Sequence, residues 1–249
     1  KKLFGSKLVK AQELLSNLFE DLKKEFDWTK NSVDTKVKNG GDMIGGRQYV
    51  CMYISYKNEL GVNTGFVYRQ LIGWEDRWRK STDDKNMNKI FDKLIVTLHQ
   101  KIPKSQHISI LHNDFKFDNI MWSFEKPTTP IAVFDWDMST LGDPLMDLGH
   151  MLNYWIDDED GPETYLITSM PIDKINYPRK RNIVNYYSKK TGFNVDNINW
   201  YYAFGAFKLA VILQQIFVRF KKGQTKDSRF ANFDKRIDAL IKRANSIKI

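Results

Sequence analysis

A chain of 249 residues with 42% hydrophobic and 14% aromatic residues can bury a sizeable core, which excludes a largely disordered protein. A single cysteine, Cys51, excludes an internal disulfide framework and fits a reducing compartment. The net charge of +9 is unevenly held, with +13 from Lys174 onward and −4 before it. Such a split is either a solvated lysine-rich surface or a basic face for a polyanion.

Lys7 to Phe26 has the spacing of an amphipathic helix through Leu8, Ala11, Leu15, Leu18, Leu22 and Phe26. Two strand-like runs, 33–38 and 48–56, follow around the paired glycines at 40–41 and 45–46, which is hairpin grammar. Helices are predicted over 65–80, with Val67, Leu71, Trp74 and Trp78 on one face, and over 85–100. Three short strands come next, at 108–111, 120–122 and 131–134, with Pro127 and Pro130 marking the turn between the last two.

Asp143 is placed to cap a helix whose first residue is Pro144 and whose apolar face runs through Leu145, Leu148, Leu152 and Trp155. The remainder is predicted helical: 178–190 stopped by Gly192, 196–222 stopped by Gly223, and 230–246. The most apolar stretch, AFGAFKLAVILQQIFVRF, is broken by Lys208, Gln214, Gln215 and Arg219, so no transmembrane segment is expected. The chain opens at Lys1 with no secretory h-region among its first residues, which fits either a processed mature form or an incompletely represented chain, and cytosol and mitochondrial matrix stand as the two expected compartments.

Three polar segments leave the short strands in fixed order: HNDFKFDN at 112–119, FDWD at 134–137 and LGDPLMDLGH at 141–150. Phosphoryl transfer needs a carboxylate to meet an acceptor hydroxyl, and Asp114 sits on a loop after a buried strand. It also needs hard oxygen ligands for Mg²⁺, which Asn119 and Asp135 can supply from neighbouring strand ends. His112 fits a loop brace better than a base.

HxDxxxxN followed by a strand-terminal Asp is similar to the protein-kinase catalytic loop and metal-binding Asp. In detail the chain resembles the aminoglycoside phosphotransferase and choline kinase family, above all the group found alone in bacteria or fused to acyl-CoA dehydrogenases. That group reads approximately HGDxRxDNxxF and LDWExSTLGDPLxDL, then a late helix rich in LAVILQ. Here the segments are HNDFKFDNIMW, FDWDMSTLGDPLMDL and FGAFKLAVILQQIF, and YRQLIGWEDRWRKS and KKGQTKDSRF also look like family segments. The likeness covers about Gly65 to Ile249 well and the first 60 residues partly.

The resemblance implies an α+β, protein-kinase-like fold. Residues 1–56 would be a remnant of the N-lobe and 57–249 the helical C-lobe that carries the catalytic and metal loops. It implies ATP- and Mg²⁺-dependent phosphorylation of a small-molecule hydroxyl, of hydroxyacyl-CoA type by the fusion relatives, while wider relatives use aminoglycosides, choline or homoserine. Asp114 would be the catalytic base with His112 beside it, Asn119 and Asp135 the Mg²⁺ ligands, and Glu13 the helical Glu of the nucleotide site. Asp147 would anchor the catalytic loop, with Asp143 structural. The glycine-bearing phosphate turn and strand Lys of that family are not found among these residues. That leaves an enzyme recorded in part, or a catalytically inactive scaffold in a large assembly such as a mitochondrial ribosome or respiratory complex. In the second case RNA or acidic protein would meet the basic C-terminal helices through Arg179, Lys180, Arg181, Lys189, Lys190, Arg219, Lys221, Lys222, Arg236 and Arg243. His150 reads as a core or capping histidine and the acidic run 157–160 as a solvated loop.

Overall fold

The computed structural model describes residues 65–82, 85–126, 129–156, 160–168 and 178–249. The helix expected over 7–26, the hairpin, Glu13, Cys51 and most of the acidic run lie outside the described residues.

Helices α1 (Phe66–Ser81) and α2 (Lys85–Gln100) form as their periodicity predicts, joined by an arginine–carboxylate contact between Arg79 and Asp92. Their inward faces meet where Trp78 stacks on Phe91, ring centroids 3.6 Å apart. Phe91 in turn packs on Phe207 of α5 (Ile198–Lys221), and Trp200 of α5 donates its indole hydrogen to the Leu98 carbonyl at 2.9 Å. Buried aromatic pairs of this kind supply much of a core's apolar area. By length and composition alone α5 would pass for a membrane-crossing segment, more apolar than its polar interruptions suggested. Half of its most apolar stretch is buried inside the protein, as in a core helix.

Four short strands sit on this helical body as two antiparallel pairs. β1 (Ser109–Leu111) pairs with β4 (Thr140–Gly142), and β2 (Ile120–Trp122) with β3 (Pro130–Val133). β4 was not expected from the sequence: three residues long, it is defined only by its pairing with a strand about 30 positions earlier. Both pairs end at the same group of loops, residues 112–119 and 134–139.

Helix α3 (Leu145–Met151) is shorter than its apolar spacing predicts, and a side chain is responsible. Asn153 Nδ2 donates to the Gly149 carbonyl at 3.0 Å, and the amides of Asn153, Tyr154 and Trp155 turn back to carbonyls three residues earlier. At the other end Asp143 Oδ1 accepts from the Leu145 amide at 2.9 Å, which meets a donor left free at the first turn. α4 (Lys180–Thr191) ends at Gly192, whose φ of +74° suits glycine, and Gly223 ends α5 the same way with φ +69°. α6 (Phe233–Ser246) follows a 3₁₀ turn at Ser228–Asn232, where an unbroken helix was expected from Phe230.

α3 and α5 cross with almost no space between them. A Cβ on Gly149 would lie 2.4 Å from the backbone carbon of Tyr201, and one on Gly205 would lie 2.8 Å from the His150 Cα. That approach lets the buried Tyr201 hydroxyl donate to Asp143 Oδ2 at 2.8 Å, and burial with the Asp143 charge pushes the phenol well above its ordinary value. The two helices form a fixed platform beneath the loops.

Candidate active site

Asp147 of α3 reaches up to the loop that follows β1. Its Oδ2 accepts from the His112 amide at 2.5 Å and its Oδ1 from the Asn113 amide at 2.7 Å. Burial raises this carboxyl above the ordinary aspartate value, and the two amides oppose the rise by hydrogen bonding the charged form. The carboxylate therefore acts as a bracket for the turn.

The His112 ring, 1% exposed, is fully engaged. Its Nε2 faces the Phe134 carbonyl at 2.7 Å, and its Nδ1 accepts from the Asp114 amide at 3.2 Å. Those two partners assign the proton to Nε2 and leave no nitrogen for a substrate. His112 ties the loop of Asp114 to the loop of Asp135; it is not placed to act as a base.

Asp114 is half-buried, and three side chains converge on it. Lys116 Nζ donates to Oδ2 at 2.6 Å, Asn119 Nδ2 approaches the same oxygen at 3.3 Å, and the Tyr154 hydroxyl donates to Oδ1 at 3.2 Å. Burial, then the Asp114 charge, pushes the Tyr154 phenol well above its ordinary value, so it stays a donor. Asn119 also donates to the Asp114 carbonyl at 2.8 Å, which closes the loop on itself. A carboxylate fixed in this way can accept a proton from a hydroxyl that replaces the phenol.

Strand register sets the backbone of Asn119 beside Phe134, the residue before Asp135. Ile120 pairs with Val133, and one step further the Phe134 amide donates to the Asn119 carbonyl at 2.8 Å. Asp135 follows at once, exposed and with φ +61°, a left-handed turn that aims the residue away from the strand path. The nitrogen of the Asn119 amide is committed to Asp114, so its oxygen is the atom that could coordinate a metal. Among the described residues no three His, Cys, Asp or Glu side chains gather into a metal cluster. One carboxylate and one amide oxygen suit Mg²⁺, which keeps water and phosphate oxygens as its other ligands; they would not suit zinc.

Lys116, Tyr154 and Lys208 belong to the site but carried no signal that sequence reading picked up, apart from the position of Lys116 two residues after Asp114. His150 is buried, and desolvation together with nearby Lys208, Lys116 and His112 holds its pKa well below the usual value, so it is a neutral core residue. His99 pairs with Glu75 at 2.9 Å and His107 stacks on Phe193, partners that the sequence did not name.

The basic set is corrected in part. Arg243, expected on a polar face, is 5% exposed; it donates to the Asn153 carbonyl at 2.9 Å and contacts Thr164. Arg236 donates to the Leu166 carbonyl at 2.6 Å, and Lys180 pairs with Asp160. These three cations hold the 160–168 segment against α4 and α6 instead of facing solvent together. Beside them a cavity of about 660 Å³ is lined by both signs of charge, among them Asp160, Lys180, Asp196 and Arg243.

Residues 59–168 match the profile of the phosphotransferase enzyme family. Acyl-CoA dehydrogenase family member 11 of Mus musculus is 30% identical over 169 residues, 67% of this chain and 21% of that one. Family member 10 of the same organism is 28% identical over 168 residues, 67% of this chain and 15% of that one. A crystal structure from Ralstonia eutropha, of a chain proposed to be an aminoglycoside phosphotransferase, is 26% identical with a TM-score of 0.63 and covers 81% of this chain and 64% of that one. The chain thus spans about a fifth of the length of these curated relatives or less.

Proposed function

From a chain that belongs to the phosphotransferase enzyme family and shares its kinase-like α+β fold, we propose ATP- and Mg²⁺-dependent phosphorylation of a small-molecule hydroxyl. The observation that carries the reading is the meeting of strand ends, where β2–β3 register sets Asn119 beside the Asp135 turn and the same Asn119 holds Asp114.

In this reading Asp114 orients the acceptor hydroxyl and takes its proton as the oxygen attacks the γ-phosphorus of ATP and ADP leaves. The incoming hydroxyl displaces the Tyr154 phenol from Oδ1. Lys116, already on Oδ2, keeps a positive charge beside the reacting oxygens. Asn119 and Asp135 would hold Mg²⁺, which would supply positive charge to the phosphate oxygens. His112 ties the two loops to each other and Asp147 fixes the first of them to α3, so positioning comes from the fold and not from substrate binding.

A hydroxyacyl-CoA acceptor is our preferred class, supported by relatives whose names are those of acyl-CoA dehydrogenase family members. The competing reading, an inactive scaffold held by basic helices, draws less support from a set in which Arg236, Arg243 and Lys180 are spent on internal contacts.

Calorimetric titration with ATP, with and without Mg²⁺, tests the metal assignment. Asp135→Ala is expected to weaken Mg²⁺-dependent nucleotide binding by about 10- to 100-fold while leaving the metal-free binding unchanged. Equal Mg²⁺ dependence in both proteins would remove Asp135 from the site. Phosphate transfer measured over a panel of hydroxyacyl-CoA, free hydroxy acid, choline and aminoglycoside then identifies the acceptor class, and no transfer to any of them counts against the enzyme reading.

A further inference from the structure

Asn113 lies between the two residues usually named in such a loop and is held on every side. Its φ is +65°, in the left-handed region that asparagine tolerates better than most residues. Its amide donates to Asp147 Oδ1, and its Nδ2 donates to the Met138 carbonyl at 2.9 Å. Met138 belongs to the loop that carries Asp135, so Asn113 ties one functional loop to the other. From below, Lys208 of α5 donates through Nζ to Asn113 Oδ1 at 2.9 Å and to its carbonyl at 3.4 Å.

Lys208 is 5% exposed, in the middle of the core helix. Burying an ammonium is expensive, and a methionine of similar shape would pack there without that cost. What the lysine supplies and methionine cannot is the pair of contacts to Asn113. We propose that Lys208 is a positioning residue for phosphoryl transfer, clamping Asn113 and so fixing Asp114 relative to the Asp135 loop. The catalytic half of this statement rests on the function proposed above; the clamp itself does not.

The groups that face Lys208 come from each element packed around it. Asp147 of α3 and Asp114 of the loop favour its charge, Arg77 of α1 opposes it, His150 of α3 is neutral, and the Trp74 ring of α1 lies 5.5 Å from Nζ. Burial outweighs the carboxylates and brings the ammonium down to about 8. Between that value and 10.5, the value for an ordinary lysine, the unfolded chain binds the proton and the folded one does not. The contribution of Lys208 to stability therefore rises with pH through this window, while the clamp loses its cation. The opposite signs distinguish loosening of the loop from loosening of the whole protein.

The experiment is hydrogen–deuterium exchange of segment 112–114 at pH 7 and pH 9.5, corrected for intrinsic rates, in wild type, Lys208→Met and Lys208→Arg. The wild-type loop is expected to lose about tenfold protection at the higher pH while α5 loses none. Lys208→Met is unprotected at both pH values, and Lys208→Arg, with no proton to lose in this range, is protected at both. A wild-type loop with the same protection at both pH values overturns the clamp even if Lys208→Met does not fold. For catalysis, wild-type kcat declines above pH 8 with nucleotide KM unchanged, and Lys208→Arg removes the decline. The exchange pattern without any phosphoryl transfer keeps the clamp and defeats the phosphotransferase reading; transfer with pH-independent exchange does the reverse.

Discussion

Asp114→Asn is expected to lower kcat for phosphoryl transfer by about 10³-fold, within the range lost when a positioned proton acceptor is removed. The amide is nearly the shape of the carboxylate and can still accept from Tyr154 or Lys116 at one position, so the loop keeps its path. What disappears is an oxygen that can take a proton as the acceptor attacks. The ion pair to Lys116, partly exposed at both ends, contributes about 1 kcal/mol, so the melting temperature should stay close to that of wild type. Nucleotide binding should also persist, since Asp114 is not among the residues assigned to the metal. Rate measurements beside a thermal melt separate the outcomes: full activity in Asp114→Asn would remove the residue from the mechanism.

The largest loss of stability is expected at Gly149→Ala. The added methyl would sit 2.4, 2.5 and 2.6 Å from the carbonyl carbon, carbonyl oxygen and Cβ of Tyr201. Two of those three atoms are backbone and cannot rotate aside, so α3 and α5 must separate. Separation pulls Tyr201 from Asp143 and draws Lys208 away from Asn113. A cost of about 3 kcal/mol is typical of such overpacking, equivalent to roughly 10 °C in a domain of this size. Alanine's helix propensity favours the variant by about 1 kcal/mol and does not compensate. A Gly149→Ala protein that melts at or above the wild-type temperature would show that the helix crossing is looser than described.

Much of the helical framework was legible because its signals are local. Apolar spacing located α1 and α2, and Gly192 and Gly223 marked helix ends where a left-handed residue is required. The loop segments were legible for a related reason: polar residues directly after short apolar runs stand where strands deliver them. What escaped notice depends on partners distant in sequence. β4 has no strand character apart from β1. The early end of α3 is set by one asparagine side chain that takes a carbonyl. Lys208 read as an interruption in an apolar run because its main acceptor, the Asn113 side chain, lies 95 residues earlier, and Arg236 and Arg243 read as surface charge because the acceptors that retain them are carbonyls that no residue type announces. Buried cations are misread from sequence in this way whenever their partner is backbone.

The bracket around the loop has a kinetic consequence. Asp147 reaches back 35 residues to His112, and Lys208 reaches back 95 to Asn113. The first contact waits on α3 meeting the loop and the second on the docking of α5, and until then nothing repays the left-handed backbone of Asn113. The loop is expected to take its final shape late, after the folding barrier has been crossed. Substitutions confined to it should speed unfolding and leave the folding rate alone, with φ-values near zero at Asn113 and substantial ones along the α3–α5 crossing. Variation in the chemical loop is then largely uncoupled from the search for the fold.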